Sequence, residues 1–486
     1  MVDITTNNFN NILPEILSDV KSSSFVALDT EFTGLLADAA FKGSLFDGGP
    51  QRYQKLVSNI RRFTVCQLGL AVFKGVPDVN AYTVTSYNFY LRPHSCVSFD
   101  PTFMCQSSSL EFLQKYKFDF NKWLYYGVPC MNSDEAEELR GELSSIVKGN
   151  KVFRIPYEVL VQKVSSCERE RLEAKDPEGT EFIDSIVTNM LGFTTIFRCL
   201  ADHHKPLVLH NCLLDLMLIY KQFHQNLPPS YEVFKSNLHE MFPLIYDTKF
   251  IATELKYFYK EKNDQVRSLF SNTGLVELSS CLKRDESVLY LPTLSHHPPD
   301  NKYSGSEMLL HEAGYDAYLT GGCFLHMAHL HAMLQIPSLQ HRPMSPREHV
   351  FALKNLANQV QIQRAAVRCV ALNGPDPPLK RPPWLVVEGR SRSMRVTPGM
   401  VSLALAQYGN PDVIPRNNNS VLVATTSWKC TRDILTDLAE DRYMKAQLYK
   451  KLRHSPLVRS LAWSGVVMST GLSVWIVYST LRKSSS

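Results

Sequence analysis

Asp29 and Glu31 stand two residues apart at the end of an apolar run, Phe25-Val26-Ala27-Leu28. A strand turns alternate side chains to the same face, so both carboxylates leave one face at its C-terminal end. Two like charges about 4 Å apart repel by roughly 4 kcal/mol at an effective dielectric near 20. A site that gathers such groups neutralises them with protons or with hard cations; the plainer alternative is a solvated loop after a strand. Three later segments supply partners. His210-Asn-Cys-Leu-Leu-Asp215 places an acid at the start of a helix after a strand. Asp247-Thr-Lys249 follows the apolar Phe242-Pro-Leu-Ile-Tyr246, and His311 precedes Asp316 by five residues. Asp29, Glu31, Asp215 and Asp316 are candidate ligands for two divalent ions about 4 Å apart, which activate water and stabilise an in-line phosphodiester displacement. Hard oxygen ligands select Mg²⁺, or Mn²⁺ in its place. His311 is the candidate base, because imidazole titrates near the working pH.

The elements that must position these residues read as α/β. Phe9 to Val20 has apolar residues at helical spacing, and strands are expected at Phe25–Leu28, Arg62–Phe73 and Ala81–Leu91. Helical excursions are expected over about 135–185. A helix over 186–201 leads to a strand and turn at Lys205–Asn211, a helix opens at Asp215, and Gly314–Leu334 forms another. A linker is placed at 336–347. Beyond it, 348–450 reads as a small α+β module, helical over Val350–Val367, with strands at Trp384–Val387 and Val421–Ala424 and a helix at Thr431–Leu438. His326, His329 and His331 read as residues of a partly exposed helix rather than a metal site.

The 486 residues suffice for two or three domains, and 44% hydrophobic with 20% charged residues is a globular composition. A net charge of +5 permits a nucleic-acid patch without demanding one. The 11 cysteines are scattered and form no C-x-x-C pair, which argues for reduced thiols and against a zinc module. Leu461 to Leu481 carries no charge and would span about 31 Å as a helix, the thickness of a bilayer core. With basic flanks and no secretory signal, it predicts a single transmembrane tail anchor. The mitochondrial outer membrane is favoured, with the endoplasmic reticulum as the alternative.

D-x-E…D…H-x(4)-D is the pattern of the DEDDh 3′-to-5′ exonucleases. The segments DTEFTGL, FTVCQLGL, FDFNKW, HNCLLDL, DTK and HEAGYDAYLTG are similar to the poly(A)-specific ribonuclease (PARN) family over residues 1–335. The resemblance implies a ribonuclease H-like domain with a mixed β-sheet. It implies that Asp29, Glu31, Asp215 and Asp316 hold metal and that His311 is the general base. Phe32 and Leu35 fall where the family lines the pocket for the 3′ nucleotide, and Lys249 where a basic residue meets the RNA backbone. Asp247 is either a support for the ligands or a strand-end cap.

Two departures matter. Only about 110 residues separate Pro101 from His210, too few for the single-strand-binding domain inserted in the founding deadenylase. The 348–450 module stands where that enzyme has an RRM but lacks stacking aromatics at Val421–Ala424, a degenerate RRM-like unit. Its Arg390, Arg392 and Arg395 either contact phosphates or form a solvated turn. Together with the expected anchor, these departures resemble the PARN-like domain-containing branch, which trims piRNA precursors. That branch implies a single-stranded RNA 3′ end in a Piwi complex, a Tudor-domain scaffold and an organelle membrane as partners, with homodimerisation left open. The alternatives are an mRNA deadenylase and a catalytically idle membrane-tethered RNA-binding scaffold; the latter is disfavoured because all five catalytic positions are present.

Overall fold

The computed structural model describes residues 2–148, 180–283, 291–297, 302, 309–336, 338–339, 342–378, 381–391 and 394–450. Two compact units emerge. One holds residues 1–43, 48–363 and 367–378; the other holds 44–47, 364–366 and the chain from 379.

The first unit is built on a seven-stranded mixed sheet of β1 (Val2–Ile4), β2 (Phe25–Phe32), β3 (Val65–Gly75), β4 (Ala81–Tyr90), β5 (Leu207–Leu209), β6 (Ile245–Asp247) and β7 (Thr293–His297). The order is β1-β4-β3-β2-β5-β6, with β7 also paired to β4. β2, β3 and β4 form an antiparallel meander, while β5 and β6 run parallel to β2 on its other side. This is the ribonuclease H-like arrangement. β3 is buried over nine consecutive residues, as expected of a central strand covered on both faces. Short strands β1 and β7 carry too little pattern to be read from sequence.

One face of the sheet is covered by the helix Ala313–Gln335. Phe25, Ala27, Ala71, Phe73, Tyr82 and Val84 meet its Ala317, Phe324 and Leu325 in a common core. The helix is apolar on every side, so His326 and His329 are buried, a correction to the partly exposed helix expected. Their environment is not a metal site. His329 Nδ1 lies 3.2 Å from His349 Nε2, and His349 Nδ1 lies 3.0 Å from the Tyr82 hydroxyl. Burial pushes His326 down to about 4 and His349 to about 3, so both rings stay neutral.

Residues 348–378 also differ from expectation. The helix Pro346–Ala352 stops early, and Asn358 beyond it takes a left-handed conformation at φ 62°. Its side-chain oxygen accepts from Ile245 N–H at 3.0 Å and its amide donates to Pro243 O at 2.7 Å. The chain then forms a hairpin of β8 (Gln359–Gln361) and β9 (Cys369–Ala371) within the first unit.

The second unit carries the antiparallel sheet β11-β12-β10-β13, made of β10 (Leu385–Gly389), β11 (Asp412–Asn417), β12 (Ser420–Ala424) and β13 (Met444–Leu448). Helices Pro398–Leu405 and Trp428–Glu440 cover one face and are capped by Thr397 and Ser427. Arg390 donates to the carbonyls of Leu438, Ala439 and Asp441, so it caps a helix C-terminus while remaining exposed. Arg392 lies outside the described residues.

The expectation of a tail-anchored membrane protein is corrected. No helix among the described residues is long and apolar enough to cross a membrane. The longest helix among the described residues, Ala313–Gln335, carries Asp316 and three histidines and is a core element. Segment 461–481, where the transmembrane helix was expected, lies outside the described residues, as does 149–179 of the expected helical excursions.

Gly69 decides how closely that helix docks. It pairs with Asp29 across β2 and β3, and a Cβ there would sit 1.9 Å from the Ala313 carbonyl oxygen. Gly69→Val is therefore expected to destabilise by at least about 2 kcal/mol, since overpacking against backbone has no flexible way out. Chemical denaturation measures the loss; an unchanged midpoint would refute the close-docking account.

Candidate active site

Asp29 and Glu31 lie on the last turns of the pleat of β2, on the face covered by the Ala313–Gln335 helix. Asp215 sits in the first turn of the helix Leu213–Ile219, directly after β5. Since β5 runs parallel beside β2, its C-terminal end delivers Asp215 next to β2's own end. The Thr30 hydroxyl donates to Asp215 Oδ1 at 2.6 Å and fixes that carboxylate. Asp316 enters from across the sheet, in the first turn of the Ala313–Gln335 helix.

The N-terminus of that helix is buried, and its free N–H groups need acceptors. The Glu312 side chain, at the cap position, supplies none. The sheet does so instead: Gln67 Oε1 accepts from Ala313 N–H at 3.0 Å, and Asn88 Oδ1 accepts from Gly314 N–H at 3.3 Å. Gly69 admits the approach, and these two amides set its angle. None of the three was singled out from sequence. A glycine and two amides inside otherwise apolar strands were the available signal.

His311 precedes the helix at φ 60°, and its N–H donates to Asp316 Oδ2 at 3.1 Å. Its ring packs on Tyr116 and Phe112, with centroids 4.0 and 4.8 Å away. Burial and the nearby Lys115 charge lower its pKa, keeping the imidazole neutral. Ligand atoms of Glu31, His311 and Asp316 all lie within 4.8 Å of one another.

The electrostatics tie the four acids together. Burial first, then the charges of Asp316, Asp215 and Glu31, push Asp29 well above the usual carboxylate range. Glu31 is raised by burial and by Asp316 and Asp215. Burial raises Asp215 to about 6 against the opposing Thr30 hydrogen bond, and raises Asp316 to about 7. Asp316 Oδ1 is buried without a hydrogen-bond partner. An orphaned oxygen on a carboxylate that lies near Glu31 and whose charge raises Asp29 and Glu31 fits a divalent cation, which would satisfy it and remove the repulsion.

Asp247 is a cap and a support at once. It is fully buried, and its carboxylate accepts backbone N–H groups from Asn211, Cys212, Lys249, Phe250 and Gln361. It thereby starts the helix Thr248–Phe258 and holds the turn leading to Asp215. Lys249 lies near His210, and its charge helps lower His210 to about 4 behind the effect of burial. Phe32 is half-buried at the end of β2, and Leu35 is 54% exposed on the loop beyond it.

Residues 4–324 match the family model described as CAF1 family ribonuclease. The pre-piRNA 3′-exonuclease trimmer of Bombyx mori is 28% identical over 99% of this chain and 99% of its own. The poly(A)-specific ribonuclease PNLDC1 of Homo sapiens is 30% identical over 93% and 96%. The poly(A)-specific ribonuclease PARN of Homo sapiens is 28% identical over 78% and 70%.

Raised carboxylate pKa values mean that the metal-free protein takes up protons on folding. It gains stability as pH falls through about 7 and then about 6. Mg²⁺ competes with those protons, so its increment in melting temperature is expected to be largest at pH 8 and smaller at pH 6. Asp316→Asn is expected to raise the metal-free melting temperature at pH 8 and to shrink the Mg²⁺ increment. Differential scanning fluorimetry with Mg²⁺ or EDTA measures both, and a melting temperature indifferent to Mg²⁺ at pH 8 would sink the metal site.

Proposed function

This chain belongs to the CAF1 ribonuclease family, and we propose that it is a DEDDh-type 3′-to-5′ exoribonuclease that trims the 3′ ends of piRNA precursors, releasing 5′-nucleotides. The reading is supported by the mutual charge effects among Asp29, Glu31, Asp215 and Asp316, the last of which has an unsatisfied buried oxygen. The substrate class is supported by the pre-piRNA trimmer, which aligns over its whole length with this chain.

Asp29, Glu31, Asp215 and Asp316 would hold two Mg²⁺ or Mn²⁺ ions. When bound, the ions supply Lewis acidity for the attacking water and neutralise charge at the phosphodiester. The residues do the rest. His311, neutral and braced by Phe112 and Tyr116, accepts the water's proton on an imidazole nitrogen. Thr30 keeps Asp215 oriented through its hydroxyl. Phe32 and Leu35 contact the terminal base and sugar, and the loop carrying Leu35 is pinned by Gln106 Oε1, which accepts from Leu35 and Leu36 N–H. Lys249 approaches the phosphate backbone. Reading by backbone contact and stacking predicts weak sequence preference.

A Piwi protein carrying the precursor and a Tudor-domain scaffold are the proposed partners. The second reading is an mRNA deadenylase, favoured by the poly(A)-specific name of the PNLDC1 and PARN relatives.

Asp29→Ala or Glu31→Ala is expected to abolish 3′ trimming of a 5′-labelled RNA without loss of the folded circular-dichroism spectrum. His311→Ala is expected to slow it by about 10²-fold or more. Undiminished trimming by either carboxylate variant would overturn the assignment. Small-RNA sequencing in cells lacking the protein separates the substrates: extended Piwi-bound 3′ ends support trimming, and longer mRNA tails alone support deadenylation.

A further inference from the structure

Beyond the carboxylate site, the chain from Phe32 through Leu35 to Ala37 is held by two amide side chains. On one side Gln106 holds it, accepting from Leu35 and Leu36 and donating its own N–H to Thr33 O at 2.7 Å. On the other side Asn59, buried in the helix Gly49–Ile60, accepts from Ala37 N–H at 2.7 Å and donates to Leu35 O at 2.6 Å. Behind this second wall opens a groove of about 610 Å³, lined by Phe41, Val57, Asn59, Arg61, Arg62 and Met104 beside Ala37. No carboxylate lines it.

The two arginines are exposed and presented by a stiff support. The Lys221 ammonium donates to the carbonyls of Ile60, Arg61 and Phe63, at 3.2, 2.9 and 3.0 Å, and so locks the end of the helix that bears Arg61. Arg62 is tied through its carbonyl to Met104 N–H at 2.8 Å. The groove thus has an apolar floor, two fixed cations on its rim, and a wall shared with the loop that bears Leu35. Ala37 is six steps along the chain from Glu31, so the groove begins within about 22 Å of the carboxylates.

We propose that this groove holds the RNA strand upstream of the 3′ nucleotide, with a base on the Phe41, Val57 and Met104 floor and phosphates on Arg61 and Arg62. The inference rests on the exoribonuclease reading for the ligand's identity. This groove shares a wall with the loop that bears Leu35 and combines positive charge with an apolar floor, the pairing that single-stranded nucleic acid selects. The groove makes Arg61 and Arg62 determinants of grip on longer RNAs, not of the reaction itself.

The test uses the full chain with Arg61→Ala and Arg62→Ala combined. Binding of a 5′-labelled RNA of about 20 nucleotides, measured by fluorescence anisotropy in EDTA so that none is cut, is expected to weaken about tenfold. The slope of log K against log salt is expected to fall by about 1.4, for two phosphates of a single strand. A trinucleotide should bind the variant and the parent alike. With Mg²⁺, KM for the long RNA should rise with kcat nearly unchanged, and the double lysine variant should recover part of the binding. Unchanged affinity and salt slope would overturn the groove, as would equal weakening for long and short RNA. If the variant loses binding but the parent protein cuts no RNA in Mg²⁺, the groove stands and the exoribonuclease reading falls.

Discussion

Four carboxylates share a space too dry for all of them to remain charged, and much of the first unit exists to hold them there. Asp29 feels Asp316, Asp215 and Glu31 at once, and each of the four is raised above its ordinary range. Like charges in partial burial push apart unless the backbone that carries them is held more strongly. The sheet does this through hydrogen-bonded registers rather than through side-chain packing. β2 is fixed on one side by eight paired positions of β3 and on the other by β5. Neither strand can yield without breaking its ladder.

The third source of charge, Asp316, is held by a different device. A helix terminus is driven against the sheet at Gly69, and its free N–H groups are satisfied by Gln67 and Asn88. The positive end of the helix then lies at the acids, where its dipole offsets part of their repulsion. The fourth acid depends on Asp247, whose buried carboxylate gathers five backbone N–H groups from three segments. Removing so many hydrogen bonds from a buried carboxylate is far costlier than removing a surface ion pair. Asp247 thereby acts on the site through the Asn211–Cys212 turn without touching substrate.

The residual strain is local. Asn211 and His311, each just before an acid-bearing helix, both take left-handed conformations, at φ 59° and 60°. Each lets the chain turn sharply from sheet level into a helix whose first turn points inward. A His there also has its N–H aimed at Asp316 and its ring delivered to the aromatic wall of Phe112 and Tyr116. Backbone conformation and side-chain placement are thus solved by the same residue.

The long periodic elements were legible in the sequence. The helix at Phe9, the strands at Phe25, Val65 and Ala81, and the helix after Ala313 carry enough apolar repeat to be read locally. So was the type and spacing of Asp29, Glu31, Asp215, His311 and Asp316, because two-residue alternation and helix starts are local geometry. The chain's text misled where long-range partners override propensity. Residues 353–367 look helical, but Asn358 is claimed by β6 and the chain turns into a hairpin beyond it. Other features have no local signature at all. That Gly69 must be a glycine follows only from Ala313, more than two hundred residues later, lying against it. That Gln67 and Asn88 are helix caps follows from the same docking. The sequence by itself determined which groups carry charge, protons and metal affinity. Only the tertiary structure decided that they meet, since that depends on registers and close approaches between segments far apart along the chain.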